Sequence, residues 1–454
     1  MDAPPTIPPR PARPDKGQEL ELTIDALAHG GNGIARHEGF VVFVAGTIPG
    51  DRVRAVLTKR KRGYGEARLL EVVEPSPERI EPVADHPGAP WQVLPYERQL
   101  AVKHEQTEDA LRRLGRLDGF EYEAIVPAVE QWGYRNKLEY SFGTGPDGKL
   151  VCGFHAPGSW EDIVDGESLL GTGRCNAARG AVLAWCRERG LQAYDRRAQV
   201  GLLRNLVVRE GRRTGELQVR IVTSPGDFDE TGLADAVGAT SLVHTVASGV
   251  GETTQGGTST LLDGRGSIVE ELCGLRFSIS PDAFFQTNTE MAEQLYGIVA
   301  EYAGLQGWER VYDLFCGIGT IGLTLAQRAG EIWGLEIVES ATGDAVANAK
   351  ANSIDNAKYF AGDVRLALRE LVEEAGKPDV LVVDPPRSGL SQKVVRRVIE
   401  ANPKRIVYVS CNPTTLAPNA AQLVEAGYAL KRVRPVDMFP QTPHIECVAV
   451  LDRA

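Results

Sequence analysis

The last third of the chain carries the clearest pattern of apolar and polar positions. Apolar runs at 310–315, 332–337, 358–361, 379–384 and 405–410 alternate with amphipathic stretches at 319–328, 339–352, 364–374, 391–401 and 414–426. Short apolar runs read as buried strands, and the stretches between them have helical length and spacing. Strands alternating with helices predict a parallel sheet covered on both faces, an α/β domain of Rossmann-like form. Two further strand-like runs, Ala429–Arg434 and Ile445–Leu451, predict an antiparallel hairpin at the sheet edge.

The pattern at the other end is different. Alternating runs at Glu21–Ala26, Gly39–Val44, Asp51–Thr58 and Gly65–Val73 are separated by glycine turns such as 29–33 and Pro49-Gly50. Short strands this closely spaced predict a small five-stranded barrel of the OB kind. A proline-containing linker follows at 73–82, then a helix over 95–115 with Gly115 as its stop. From about Val126 to Leu275 strands and two helices mix without a legible topology. The expected organisation is a disordered proline-rich tail at 1–18, a barrel at 19–75, a central α+β domain at 90–275 and an α/β domain at 276–454.

Composition narrows the class. The chain has 454 residues, 43% hydrophobic and 24% charged, as expected of a globular protein of several domains. No apolar run is long enough to cross a membrane, and the N-terminus lacks the apolar core of an export signal. Seven cysteines are scattered without a C-x-x-C pair, which fits a reducing, cytoplasmic setting and supports no metal site. The net charge of −11 argues against indiscriminate nucleic-acid binding, so any such binding requires local basic patches. One is available between Arg52 and Arg68, where seven basic residues face one acid and Tyr64 lies among them. Lys59, Arg60, Lys61, Arg62 and Tyr64 suit single-stranded nucleic acid, although a solvated hairpin tip has the same composition. Arg135, Lys137, Arg204 and Arg209 add basic residues in strand-like contexts of the central region.

Candidate chemistry clusters at the carboxyl ends of the predicted parallel strands, the edge where open α/β sheets bind ligands. Asp313-Leu-Phe-Cys-Gly317-Ile-Gly319-Thr-Ile-Gly322 joins the first strand to its helix, and its glycines allow close backbone approach to a nucleoside cofactor. Glu336 ends the second strand, where an acid grips ribose hydroxyls. Asp363, after the third strand, is placed for an adenine edge and equally for a helix N-cap. The fourth strand ends in Asp384-Pro-Pro-Arg387-Ser-Gly389, whose prolines fix a rigid turn aiming Asp384 and Arg387 at the site. The fifth ends in Ser410-Cys411-Asn412-Pro413. Asn412 suits an N-cap and Pro413 the first helical position, so a helix begins just after Cys411 and is expected to lower its thiol pKa. A small cysteine at a strand end is also an ordinary core residue. Glu446, leading the last apolar run, is expected to have a raised pKa suited to a base, with His444 as the alternative.

Together these residues resemble the RNA uracil-5 methyltransferases that carry an N-terminal TRAM domain and act on ribosomal RNA or the T-loop of transfer RNA. The resemblance covers nearly the whole chain after the tail: the barrel, Tyr134-Arg-Asn-Lys137, Phe284-Phe-Gln286-Thr-Asn288, the 313–317 loop, Asp384-Pro-Pro-Arg387, Ser410-Cys-Asn-Pro413 and His444-Ile-Glu446. It implies that S-adenosylmethionine is held by Gln286, Phe315, Glu336 and Asp384, with Gly317, Thr320 and Asp363 as further candidates. It also implies Cys411 as nucleophile, Glu446 as base, and RNA contacts from Arg135, Lys137 and Arg387 besides the barrel. Many relatives hold an iron–sulfur cluster on four cysteines after the barrel. Here that segment reads Asp85-His-Pro-Gly-Ala-Pro-Trp-Gln92, so no cluster and no metal are expected. The expected partner is structured RNA, 23S ribosomal before transfer RNA, with the protein a monomer. A cytosine-5 enzyme would carry a second cysteine in place of Arg387, an amino-group methyltransferase needs no nucleophile, and an inactive RNA-binding relative has no reason to keep both Cys411 and Glu446.

Overall fold

The computed structural model describes residues 13–156, 158–249, 251, 254 and 256–454. The expected tail falls largely outside these. Its last residues, however, are engaged: Gly17 N–H donates to the Leu57 carbonyl, and Asp15 pairs with Arg60. The chain divides into two compact units, one running to Gln106 and including Pro440–His444, the other formed by Thr107–Phe439 and Ile445–Ala454.

In the first unit, β1 (Glu19–Leu27), β2 (Gly33–His37), β3 (Phe40–Val44), β4 (Arg52–Arg60) and β5 (Tyr64–Glu74) close a barrel in the order β1-β2-β3-β5-β4. Alternation explains closure: Leu20, Leu22 and Ile24 point inward to meet Val42, Val44, Val53 and Ala55, while the intervening charges face water. Strand β2, whose start had been taken for a glycine turn, was missed. Its Gly33 has no room for a side chain, because a Cβ there would lie 2.0 Å from Thr47 Oγ1. After the barrel, Gln92 accepts from Val83 N–H and donates to the Ala84 carbonyl, and Gln99 donates to the carbonyls of Trp91 and Leu94. Helix α1 (Tyr96–Asp109) continues along the chain into a π-helical turn, Ala110–Leu114.

The second unit holds two large sheets. After β6 (Glu121–Tyr122), the central region comprises β7 (Lys137–Thr144), β8 (Leu150–His155), β9 (Ile163–Asp165), α2 (Gly173–Glu188), β10 (Leu203–Glu210), β11 (Leu217–Thr223), α3 (Leu233–Val237), β12 (Ser241–Val246) and β13 (Thr258–Gly264). Its seven-stranded sheet runs β13-β12-β11-β10-β7-β8-β9. Leu138, Tyr140, Leu206, Val208, Val219 and Ile221 form the apolar face packed against α2. A hairpin, β14 (Ile268–Leu272) and β15 (Leu275–Ile279), leads into α4 (Thr289–Ala303).

There follow β16 (Arg310–Leu314), α5 (Thr320–Leu325), β17 (Glu331–Glu336), α6 (Glu339–Ala351), β18 (Ala357–Ala361), α7 (Val364–Ala375), β19 (Val380–Val383), α8 (Gln392–Ala401), β20 (Arg405–Ser410), α9 (Pro413–Glu425), β21 (Tyr428–Val436) and β22 (Glu446–Arg453). The sheet order is β18-β17-β16-β19-β20-β22-β21-β6, with the five strands β16–β20 parallel. Both faces are buried. Val382, Val407 and Val409 enter one core, and Leu381, Val383, Ile406 and Tyr408 the other, which is why these strands read as unbroken apolar runs. The terminal hairpin does not form the edge as expected. Strand β22 pairs antiparallel to β20, and β21 is covered by the short parallel β6.

Candidate active site

The loop after β16 needs unusual backbone. Phe315, Gly317 and Gly319 have φ of 64°, 52° and 83°. A Cβ at Gly319 would lie 2.7 Å from Tyr359 Oη, and one at Gly322 2.9 Å from Asp313 Oδ2, so these positions demand glycine. Asp313 Oδ2 accepts from Gly322 N–H at 2.8 Å, holding the start of α5, and Glu336 Oε2 accepts from Gly317 N–H at 3.1 Å. Gln286, Phe315, Gly317, Thr320 and Asp384 line one cleft, joined by Phe284, Tyr296 and Asp313. Sequence reading left these last three out of the site. Phe284 is 69% exposed in a motif with no helical or strand period to explain it.

Two carboxylates face this cleft, Asp313 fully buried and Asp384 half-buried. Burial pushes Asp313 up to about 7 and Asp384 up to about 6. One oxygen of Asp313 is buried without a partner. Glu336 stands beside the glycine loop through its bond to Gly317, and neither it nor Asp363 is among the lining residues. Asp363 caps α7 by accepting from Arg365 N–H at 2.9 Å, and its other oxygen pairs with the Arg365 guanidinium. The capping alternative is therefore realised.

The Asp384–Gly389 turn is tied to the start of α9. Asn412 Nδ2 donates to the Arg387 carbonyl at 3.3 Å, Thr415 Oγ1 donates to the same carbonyl at 3.4 Å, and Leu390 N–H donates to Asn419 Oδ1. Asn412 caps the helix as expected, accepting from Thr414 N–H at 3.0 Å, with Pro413 in the first turn. Cys411 lies half-buried between these segments. Its thiol is not lowered as the helix start had suggested, but pushed up to about 11. Burial is the main cause, followed by the Glu446 and Asp384 carboxylates, against which Arg387 offers the opposing charge. A helix end contributes at most a partial charge, and two nearby acids outweigh it.

Glu446 opens β22 and is 5% exposed; burial and Asp384 push its carboxyl well above the usual range, while Arg387 opposes them. The register brings it to Cys411. Ser410 pairs with Cys447 in the antiparallel β20–β22 ladder, so the next facing positions are Cys411 and Glu446. His444 belongs to the first unit, where its N–H donates to Thr442 Oγ1.

The candidate nucleic-acid contacts divide. Lys61, Arg62 and Arg68 are exposed, and Tyr64 is 39% exposed with its ring edge against Phe43. The local excess of charge, however, is largely answered across the barrel: Arg52 by Glu74 and Glu21, Arg54 by Glu71 and Glu19, Lys59 by Glu66, Arg60 by Asp15. Lys137 pairs with Glu139, and Arg135 lies with its guanidinium 5.7 Å from the Phe439 ring centre. Arg204 and Arg209 are buried; Arg209 donates to the Ser280 and Ala283 carbonyls. Arg387 is exposed. Asn136, between Arg135 and Lys137, donates to the Gln286 carbonyl and to Thr289 Oγ1, stitching the central sheet to the cleft-lining segment.

Among the described residues, no helix is long and apolar enough to cross a membrane, and all seven cysteines are free thiols. A family model described as tRNA (uracil-5-)-methyltransferase matches residues 272–454, and a TRAM domain model matches 15–70. An uncharacterised RNA methyltransferase of Clostridium tetani is 38% identical, covering 96% of this chain and 98% of its own. Another, of Caldanaerobacter subterraneus, is 37% identical over 97% and 100%. Among solved structures, the Pyrococcus abyssi tRNA (uracil-54, C5)-methyltransferase in complex with S-adenosyl-L-homocysteine superposes with a TM-score of 0.77 at 28% identity, covering 95% of this chain and all of that one.

Proposed function

The chain belongs to the family of RNA uracil-5 methyltransferases with a TRAM domain, and from that premise we propose that it methylates carbon 5 of a uridine in structured RNA through a covalent adduct on Cys411. The observation that carries this reading is the facing of Cys411 and Glu446 across β20 and β22, beside Asp384 and Arg387.

The cleft suits S-adenosylmethionine. It combines Gly317 in a left-handed backbone conformation that strains any side chain, a buried carboxylate oxygen without a partner, and acids rather than bases facing a cationic ligand. Gln286, Phe315, Gly317, Thr320 and Asp384 would hold it, with Glu336 alongside. When bound, it supplies a methyl group on a positively charged sulfur, a charge that also opposes the carboxylates holding the Cys411 thiol up.

Carbon 5 of uracil is a weak nucleophile until something adds at carbon 6. The Cys411 thiol, half-exposed, gives its proton to solvent and its sulfur bonds to carbon 6, while the π pair of the carbon 5–carbon 6 double bond moves to carbon 5 and the adjacent carbonyl. After methylation at carbon 5, Glu446 takes the carbon 5 proton, the carbon 5–carbon 6 double bond re-forms and the thiolate leaves. A stacked uridine reaches no such pocket, so the base is flipped out at a cost of a few kcal/mol. Contacts from the barrel's exposed Lys61, Arg62 and Tyr64, and from Arg387, offset that cost.

Ribosomal RNA of the large subunit is the first target to test. Transfer RNA is the second reading, favoured by the likeness to the uracil-54 enzyme. Mapping 5-methyluridine in total RNA from cells with and without the gene tests both. Loss of one site in either RNA supports the proposal, and an unchanged map overturns it.

A further inference from the structure

A second cavity lies in the central region, formed wholly within the second unit. It has a volume of about 330 Å³, and its walls include Phe142 and Thr144 at the end of β7, His155 at the end of β8, and Trp160, Tyr194 and Arg197 from the flanking loops. This is within the size range of ligand sites. Strand β7 separates it from the methyl-transfer cleft. Asn136, just before β7, bonds to the cleft-lining segment, whereas Thr144 ends the strand eight residues later, roughly 25 Å away at about 3.3 Å per residue.

Its chemistry is that of a stacking site. Trp160 is 55% exposed, with the Arg197 guanidinium 5.6 Å from its ring centre. Tyr194 carries the Arg204 guanidinium 4.2 Å from its ring centre, fixed by Arg204 donating to Ser224 Oγ. Arg196 is the second cation of the lining, beside Arg197. The two acids present are already engaged: Asp195 accepts from the N–H groups of Arg197 and Ala198, and Glu161 pairs with Arg197. Arg196 and Arg197 balance Glu161 and Asp195 along its walls, so the site is neutral on a chain of net charge −11. Aromatic faces beside guanidinium groups hold unpaired bases and their phosphates, the usual mode of RNA recognition outside helices.

We infer that this cavity holds an unpaired nucleotide of the RNA substrate, at a distance from the uridine that is methylated. The inference rests on the reading of the chain as an RNA methyltransferase. It gives the enzyme a second anchor, so that target choice depends on the spacing between two unpaired nucleotides as well as on the reacting base.

The test compares full-length wild type, Trp160→Ala and Trp160→Phe in equilibrium binding to RNA purified from a strain lacking the gene, with S-adenosylmethionine binding and thermal unfolding measured alongside. Loss of one base stack corresponds to roughly 5–150-fold in affinity. Trp160→Ala is therefore expected to weaken RNA binding at least fivefold, Trp160→Phe less than twofold, with cofactor binding and unfolding unchanged. Ultraviolet cross-linking of the wild type should attach a nucleotide to the segment 158–163 or 193–197. Unaltered RNA affinity in Trp160→Ala overturns the inference, as does tight binding of free uridine monophosphate at Trp160 that RNA does not displace. If wild type binds RNA through Trp160 but leaves every uridine unmethylated, the proposed reaction fails and the nucleotide site stands.

Discussion

Cys411 and Glu446 face each other one step beyond the Ser410–Cys447 pair, and the Glu446 carboxylate is the strongest charge holding the Cys411 thiol above its ordinary pKa. The two groups thus compete for negative charge in the same half-buried space. Arg387 opposes the shift in both. A thiol pushed up to about 11 favours the protonated form of Cys411 at neutral pH, and the thiolate is the reactive form.

This competition can be measured by alkylating Cys411 with iodoacetamide across pH, with the cysteines other than Cys411 replaced. Removing a negative charge stabilises the thiolate, so Glu446→Gln should move the midpoint of reactivity below the wild-type value near 11. Removing the cation does the opposite, so Arg387→Gln should slow alkylation at any fixed pH below the midpoint. Identical profiles for all three proteins would show that these charges do not reach the sulfur.

The covalent step has its own signature. RNA carrying 5-fluorouridine at the target cannot release a carbon 5 proton, so wild type should accumulate an adduct that survives denaturant, and Cys411→Ala should form none. Glu446→Gln on ordinary RNA should trap the same adduct and lower turnover by 100-fold or more, within the range removed with a general base. A full adduct yield from Cys411→Ala would assign the nucleophile to another residue.

Much of this site was legible because its residues follow from backbone rules. Alternating strands and helices located the carboxyl edge of the sheet, and Asn412-Pro413 located the start of α9. Three-dimensional charge pairing was not legible. The seven basic residues between Arg52 and Arg68 looked like a patch because their partners, Glu19, Glu21, Glu71 and Glu74, lie outside that window and meet them only through barrel register. The raised thiol of Cys411 was not legible because its main cause is burial, a property of the packed fold. Its opposing carboxylates come from β22 and the end of β19, remote in sequence.

The salt dependence of RNA binding separates paired from exposed barrel charges. Lys61 and Arg62 are exposed and have no ion pair among the described residues, so Lys61→Ala and Arg62→Ala should each lower the slope of log K against log salt by about 0.7–0.9, the effect of one lost phosphate contact. Arg52→Ala and Arg54→Ala remove cations already answered by glutamates and should leave the slope within experimental scatter. Exposed pairs of this kind contribute about 0–1 kcal/mol, so their loss should not unfold the barrel. Equal slopes for all four variants would return the whole patch to the solvent.

Arg209 provides the opposite case, a basic residue in a strand of the central region that the fold uses internally. It is 2% exposed, burial pushes its pKa down to about 10, and its guanidinium donates to the carbonyls of Ser280 and Ala283 ahead of the cleft-lining Phe284–Gln286 segment. Arg209→Met keeps the length of the side chain but leaves both carbonyls without their donor, at a cost of about 2–4 kcal/mol in urea unfolding. Because those carbonyls anchor the segment that reaches Gln286, the same variant should raise the KM for S-adenosylmethionine while the salt slope of RNA binding stays at the wild-type value. A variant of unchanged stability whose salt slope falls by one phosphate contact would instead make Arg209 a ligand of the RNA.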